Sequence, residues 1–327
     1  MASAIVVHRH GGPEVLQYQE LELRPPAAGE VVVRHSVIAV NYADIYQRTG
    51  QFGEEDSPPL PLIPGIQGGG VVVALGPGVH GLKEGDRVAY PGPVGSYASD
   101  RVIAADRLVK SPPDLDDETL AAAMVRGLTA EYLLRRLYRV QPGDTILVHA
   151  AAGGVGMILC QWGKYLGATV IGTVSTPAKA ELIRALGCDH PIVYTQEDFV
   201  ARVMDLTGGK GVAVVYDSVG RDTFAGSLRC LQPRAMAINY GTASGQVEPL
   251  PLQRLHRKAL IVTRPTLPAW IATRAELDAA VAAVFEALRQ KIFTVPVTAR
   301  YPLAEAAQAH RALESRATTG ALVLLPQ

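Results

Sequence analysis

Residues Asp144 to Gly156 read Asp-Thr-Ile-Leu-Val-His-Ala-Ala-Ala-Gly-Gly-Val-Gly. Thr145 to His149 is a short, mostly aliphatic and β-branched run after a Pro142-Gly143-Asp144 turn, as a strand buried on both faces of a parallel sheet would be. Gly153-Gly154-Val155-Gly156 follows, and then Ile158, Leu159, Trp162 and Leu166 at helical spacing. Strand, glycine turn and helix in that order open a dinucleotide-binding βαβ unit. Gly153 and Gly154 let a pyrophosphate approach the backbone because no Cβ stands in the way. Gly156 lets the helix pack tightly on the strand. The pyrophosphate would sit at the helix N-terminus, where free N–H groups and the positive dipole end meet its charge. Ala151 stands where the fingerprint usually begins with glycine. A tight turn without a ligand is the competing reading of the same residues.

After Gly167-Ala168, Thr169 to Val174 reads as the second strand. A cofactor with a free ribose 2′-hydroxyl wants Asp or Glu near the end of that strand, about twenty residues past the glycines. The stretch here is Gly172-Thr173-Val174-Ser175-Thr176-Pro177-Ala178-Lys179, with no carboxylate. Ser175 as a donor and Lys179 as a compact positive charge suit a 2′-phosphate, which favours NADP(H) over NAD(H). Against that stands the ordinary alternative of Ser175 as a helix N-cap and Lys179 as a solvated surface residue.

A chain of 327 residues has room for two domains sharing a cleft. Lys plus Arg and Asp plus Glu stand at 31 each, so no charge excess draws it to nucleic acid or an anionic membrane. No basic stretch followed by an apolar core opens the sequence, and the expected compartment is the cytoplasm. Thr145 to Gly163 is long and weakly charged, but His149 and the glycine cluster favour strand, turn and helix over a membrane span. Cys160, Cys188 and Cys230 are scattered, with no Cys-x-x-Cys, so neither a four-cysteine zinc site nor a disulfide framework is expected.

Residues 4 to 110 read as β-rich, with candidate strands at Ala4–Val7, Gln17–Leu23, Glu30–Val40, Gly70–Ala74 and Arg87–Tyr90. Helices are scarce there, which suits a barrel-like or sandwich domain. Gln51 to Pro64, rich in proline and acid, reads as an exposed loop. Within Val40 to Arg48, the residues Asn41, Asp44 and Arg48 fall at helical spacing, as do Tyr42 and Tyr46. Two readings stay open for this stretch: the floor of a substrate pocket, or a capped short helix on the surface.

Leu115 to Val140 reads as two helices interrupted at Gly127-Leu128-Thr129. Repeating βα units follow, with strands at Pro191–Tyr194, Val212–Tyr216 and Ala235–Asn239 and a last strand at Leu260–Thr263. Ligands of such sheets bind at the carboxyl ends of the strands, where Tyr194, Ser218 and Tyr240, Gly241, Thr242 and Ala243 would lie. Arg274 to Gln290 is a periodic helix, Pro302 to Leu313 another, and Ala321 to Leu325 a final strand expected to return to the first domain.

Taken together, His10-Gly11-Gly12-Pro13-Glu14-Val15-Leu16, Gly85-Asp86-Arg87-Val88, His149 to Gly156, Val215 to Arg221 and Leu313 to Gly320 resemble the zinc-independent quinone oxidoreductases. These form the zeta-crystallin branch of the medium-chain dehydrogenases/reductases. The resemblance implies an α/β fold: a Rossmann doubly wound parallel sheet plus a chaperonin-10-like β-rich barrel domain, usually as a homodimer. The expected division is a catalytic domain at 1–124, an NADP-binding domain at 125–267, and a segment at 268–327 that returns to the catalytic domain. Cofactor positions carried over by the resemblance are Asn41, Tyr42, Ala43, Asp44, Ile45 and Tyr132 on the nicotinamide side and Gly154 and Val155 at the pyrophosphate. Ser175, Lys179 and Tyr194 would take the 2′-phosphate group. Ser218, Tyr240 to Ala243, Pro265, Thr266, Leu267 and Arg316 would complete the site, and Asn41, Tyr46 and Arg48 resemble substrate-pocket positions.

Zinc-dependent relatives carry a cysteine shortly after the strand that ends near Val40, and a later Gly-His-Glu; this sequence has neither. Gln67 stands where the zinc-free branch generally keeps a glutamate, and Phe52 where relatives often have tyrosine. The implied activity is NADPH-dependent reduction of a quinone without metal, the nicotinamide supplying the reducing equivalents. Positioning would carry much of the catalysis, with Tyr46 and Asn41 hydrogen-bonding the acceptor carbonyl as charge grows on it. Reduction of the double bond of alkenals or enones, and non-catalytic NADPH binding as in lens crystallins, are the alternatives.

Overall fold

The computed structural model describes residues 1–53, 57–315 and 317–326; the acids Glu54, Glu55 and Asp56 of the expected loop, and Arg316, lie outside the described residues. The chain divides into two compact units, Met1–Val125 with Thr273–Val281 and Val295–Gln327, and Arg126–Ala272 with Ala282–Thr294. The segment expected at 268–327 is thereby shared out between the two units. Elements are numbered β1–β15 and α1–α10 along the chain.

In the first unit, β1 (Ala2–Val6) pairs antiparallel with β2 (Gln17–Leu21). A seven-stranded sheet is built on β3 (Glu30–Val40), β4 (Gln67–Leu75), β5 (Arg87–Pro91), β6 (Asp100–Ala104), β7 (Val109–Lys110), β14 (Val297–Pro302) and β15 (Ala321–Leu325). Its order is β14-β15-β3-β4-β5-β7, with β6 also on β3. The final strand does return to the first unit, setting Leu322 against Val40 and Leu324 against Ile38. That pairing anchors the end of β3 directly before α1 (Tyr42–Thr49). Val31, Val33, Val72, Val88, Tyr90 and Ile103 fill one side of the sheet, and α10 (Ala306–Glu314) helps cover Ile38, Val40 and Leu322. The sequence reading missed β6, β7 and β14, short strands whose apolar residues stand next to charged ones.

The expected break at Gly127-Leu128-Thr129 is absent. The helix α2 (Asp117–Glu131) runs on unbroken and passes into a π-helical turn, Tyr132–Leu137. Gly127 serves close packing, since a Cβ there would stand 2.9 Å from Val284 Cγ1 and 3.3 Å from Phe293 Cζ.

The second unit holds β8 (Thr145–Val148), α3 (Gly154–Tyr165), β9 (Thr169–Val174), α4 (Pro177–Ala185), β10 (His190–Val193), α5 (Phe199–Leu206), β11 (Val212–Asp217), α6 (Phe224–Cys230), β12 (Leu231–Asn239), α7 (Gln253–His256), β13 (Ile261–Thr263) and α8 (Leu267–Trp270). The helix α9 (Arg274–Arg289) follows. The six strands form a parallel sheet in the order β10-β9-β8-β11-β12-β13. Strand order reverses between β8 and β11, and the carboxyl ends at such a switch point are where ligands bind. Leu147, Ile171, Ile192 and Val215 of the sheet pack on Val200, Val203, Phe224 and Leu228 of α5 and α6. Cys160, Cys188 and Cys230 are buried free thiols, as small hydrophobes would be.

Gln67, in the place of the expected glutamate, is buried in the first unit. Its Nε2 donates to Ala121 O and its Oε1 accepts from Val125 N at 2.9 Å, so one carboxamide bridges backbone groups four residues apart on α2. A carboxylate accepts but cannot donate. In Gln67→Glu the new side chain keeps both bonds only when protonated, which raises its folded-state pKa. Stability is then full below the ordinary glutamate range and is lost as pH rises. Urea unfolding should show a deficit of about 1–3 kcal/mol at pH 8 that shrinks by pH 5.

Candidate functional site

The glycine turn leaves β8 through His149 and Ala150. Ala150 has φ of 49°, in the left-handed region, and is held there by Gly153 N donating to its carbonyl at 2.8 Å. A Cβ on Gly156 would collide with Ala150 O and stand 2.8 Å from Ala151 Cα, so the first turn of α3 lies against the loop as expected. Gly154 has a second neighbour that the sequence did not reveal. A Cβ on it would collide with Nε of Arg126 and stand 2.7 Å from its Cδ, so the stem of this buried arginine lies over the first residue of α3.

At the end of β9 the helix cap is Thr176, not Ser175: Thr176 Oγ1 accepts from Lys179 N at 3.3 Å. The Ser175 hydroxyl is therefore not consumed by capping. Tyr194, 44% exposed, joins it through the backbone, with Tyr194 N donating to Val174 O at 3.1 Å and Thr195 Oγ1 to Ser175 O at 3.0 Å. Lys179, in the first turn of α4 and four residues past Ser175, is half-buried, and burial lowers its pKa from the ordinary lysine value.

Asp217, fully buried at the end of β11, shapes the next loop. Its Oδ1 accepts from Val219 N and Gly220 N at 2.9 Å each, turning the chain at Ser218. Asn239 Nδ2 donates to Asp217 O at 3.2 Å and to Gly241 O at 2.8 Å, and Ala243 N donates to Ser218 O at 3.1 Å. Arg264 Nη1 donates to Asn239 Oδ1 at 2.5 Å, which ties the residues before Pro265, Thr266 and Leu267 to the same edge. Tyr132 opens the π turn, is buried, and stacks on Trp270 with ring centroids 5.3 Å apart and planes 6° from parallel. Burial, then the neighbouring phenol of Tyr240, raises its pKa and keeps it neutral. Asp217, Asn239 and Trp270 were missed as contributors. The Asp217-Ser218-Val219-Gly220 run, an acid and a glycine at a strand end, was the signal for the first.

In the first unit, Asn41 caps α1 and Asp44 and Arg48 lie on it, and all three are buried. Arg48 is 1% exposed. It forms a two-pronged pair with Glu314, Nη2–Oε1 2.6 Å and Nη1–Oε2 3.2 Å, and its Nε donates to Gly11 O at 3.1 Å. The expectation that Arg48 faces a substrate is corrected accordingly: its guanidinium is engaged in holding α1 to α10. Arg48 Nη1 also donates to His310 Nδ1 at 3.1 Å, and since arginine cannot accept, this sets the tautomer. His310 Nε2–H then donates to Tyr97 Oη at 3.0 Å, and Tyr97 donates to Asp44 Oδ2 at 3.0 Å. Asp44 Oδ2 also accepts from Asn41 N at 2.8 Å. The Asp44 carboxylate is thus directed into the fold. Tyr46 packs edge-on against Phe52 at 5.6 Å, while Tyr42 and Ala43 remain half-exposed. Asn41 Nδ2 makes one long bond, 3.4 Å, to Ala39 O.

His310 is buried beside the Arg48 cation, and burial first and then that charge lower its pKa from 6.5 to about 3. The unfolded chain therefore binds the proton that the folded chain refuses between those values. The contribution is fully present above about pH 6.5 and is lost as pH falls, at most about 1.4 kcal/mol per pH unit. Urea unfolding at pH 7, 6 and 5 should show this acid lability. His310→Gln, which accepts and donates without titrating, should flatten the slope by close to one proton; an unchanged slope removes His310 from the effect.

Among the described residues no group of three or more His, Cys, Asp or Glu is placed to hold a metal ion, and no helix is long and apolar enough to cross a membrane. Two family models match the chain: the alcohol dehydrogenase GroES-like domain over residues 27–140 and the zinc-binding dehydrogenase domain over 154–286. A quinone oxidoreductase of Pseudomonas aeruginosa is 45% identical over 328 residues, covering 100% of both chains. A 2-haloacrylate reductase of a Burkholderia species is 44% identical over 338 residues, again covering 100% of both. The crystal structure of Escherichia coli quinone oxidoreductase complexed with NADPH matches with a TM-score of 0.95 and 44% identity, over 99% of this chain and 100% of that one. With a GroES-like domain, a Rossmann sheet and relatives of this identity along its full length, the chain belongs to the quinone oxidoreductases of the medium-chain dehydrogenase/reductase superfamily.

Proposed function

We propose that this protein is an NADPH-dependent quinone reductase that works without a metal. The observation that carries the cofactor choice is the end of β9. Ser175 follows the strand with a hydroxyl not used in capping, Tyr194 N donates to Val174 O beside it, and Lys179 lies in the first turn of α4, where a reader of a 2′-hydroxyl would place a carboxylate. These three hold the 2′-phosphate. The amides of Gly153, Gly154 and Val155 at the start of α3 take the pyrophosphate, with Arg126 beside Gly154 as counter-charge. Ser218, Tyr240 to Ala243 and Pro265 to Leu267 line the rest of the carboxyl edge, and Tyr132 stands on the nicotinamide side. The family resemblance adds Arg316 to this set.

Bound NADPH supplies the reducing equivalents. The protein's own residues orient the partners. Asn41 and Tyr46 donate hydrogen bonds to the acceptor carbonyl as charge develops on it. Asn41 to Ile45 serve the cofactor through their backbone, since the Asp44 side chain is spent on Tyr97 and Asn41 N. The absent cysteine and Gly-His-Glu support transfer without zinc. The homodimer, the cytoplasmic setting and the lack of nucleic-acid partners belong to the same reading, supported by the resemblance and the balanced charge. A second reading, reduction of a conjugated carbon–carbon double bond, is favoured by the haloacrylate reductase among the relatives.

Two measurements test this. Lys179→Ala should weaken NADPH binding about tenfold or more, about 1.4 kcal/mol, and leave NADH within twofold; equal losses for both remove the 2′-phosphate role. Loss of NADPH absorbance on adding a quinone, but not an enone, supports the first reading. In that assay Tyr46→Phe and Asn41→Ala should each lower kcat, and near-normal turnover in both would end their assignment.

A further inference from the structure

His149 is buried at the end of β8, and nothing in the reading above uses its imidazole. The ring is held on three sides. Nδ1 lies 2.8 Å from Thr173 Oγ1 on β9, Nε2 lies 3.0 Å from Ser227 Oγ on α6, and Phe199 of α5 meets the ring edge-on with centroids 5.0 Å apart. Ser227 Oγ donates at 2.8 Å to Asp217 Oδ2, and Thr223 Oγ1 donates to the same oxygen at 2.8 Å.

Proton bookkeeping gives the direction of the two bonds to the imidazole. Ser227 Oγ has one proton and two neighbours that only accept, Asp217 Oδ2 at 2.8 Å and Thr223 O at 3.1 Å, and the proton goes to them rather than to the ring. Ser227 Oγ must then accept from His149, which places the imidazole proton on Nε2. Nδ1 is left as an acceptor, and Thr173 Oγ1 donates to it. Burial lowers the imidazole pKa, in keeping with a neutral ring.

The two ends of the chain fall on cofactor loops. Thr173 stands two residues before Ser175, and its carbonyl accepts from Ala151 N of the glycine turn at 3.0 Å. Asp217 forms the turn that presents Ser218. His149 itself leads into the glycine turn, with its own N–H donating to Tyr216 O at 2.9 Å.

We propose that His149 is a positioning residue for the nucleotide: as the Nε2–H tautomer it links Thr173 to Ser227 and Asp217, and so sets the spacing of the β8, β9 and β11 ends that carry the binding loops. A planar ring with a donor and an acceptor on opposite edges spans that distance with one side chain and no charge. This rests on the chain binding NADPH.

The test is calorimetric titration of NADPH and NADH, well below the unfolding temperature, on wild type, His149→Phe and Ser227→Ala. His149→Phe keeps the ring and its contact with Phe199 but loses both nitrogens. Ser227→Ala is the milder cut, for use if the first variant folds poorly. Both cofactors should lose affinity together, about tenfold or more, unlike the NADPH-selective loss from Lys179→Ala. Nitrogen-15 NMR of the wild-type ring should show a protonated Nε2 and a bare Nδ1 from pH 6 to 8. Variants that melt earlier yet bind both cofactors as wild type does, or a ring protonated at Nδ1, overturn the proposal. Wild type that fails to bind NADPH would instead overturn the functional reading it rests on.

Discussion

No side-chain carbon fits at residue 156. The carbonyl of Ala150 and the backbone of Ala151 occupy that space, so the first turn of α3 rests directly on the loop leaving β8. The start of α3 is set by this approach. It aims the first amides of α3 at the switch point of the sheet, and it lets one strand end, one turn and one helix start share a few ångströms. A larger residue would push the helix outward and separate its dipole from any anion lying on the turn.

Around that approach the molecule uses buried polar chains where aliphatic packing would give no orientation. In the second unit His149 joins Thr173 to Ser227 and Asp217; in the first His310 joins Arg48 to Tyr97 and Asp44. Each chain ends on a carboxylate, and each keeps its histidine neutral. A neutral imidazole offers one donor and one acceptor, so it connects two partners without the desolvation cost of a buried charge. The shared cost is sensitivity to acid, since protonation turns each acceptor nitrogen into a donor.

This arrangement bears on the chemistry. The buried histidines with lowered pKa are in the framework, and Arg48 and Asp44 of α1 are tied up in pairs and hydrogen bonds of the first unit. What the site residues offer is shape, backbone amides, hydroxyls and a few cations. That is the equipment for placing a reduced nicotinamide and an electron-poor acceptor rather than for moving protons through an acid and a base.

Much of this was legible in the residue order. The glycine turn, the alternation of β and α, the missing carboxylate after Val174 and the returning strand Ala321–Leu325 all follow from local rules: steric freedom at glycine, hydrophobic period, and charge. One local reading went astray because tertiary contacts decided it: Gly127 was read as a helix break and is a packing site against Val284 and Phe293. Arg126 over Gly154, Arg48 on Glu314, and the partners of His149 join residues far apart in the chain. A sequence on its own states which groups can donate, accept or carry charge; which of them meet, and therefore whether Arg48 braces a helix or faces a ligand, was settled only when the strands paired and brought distant side chains within hydrogen-bond reach.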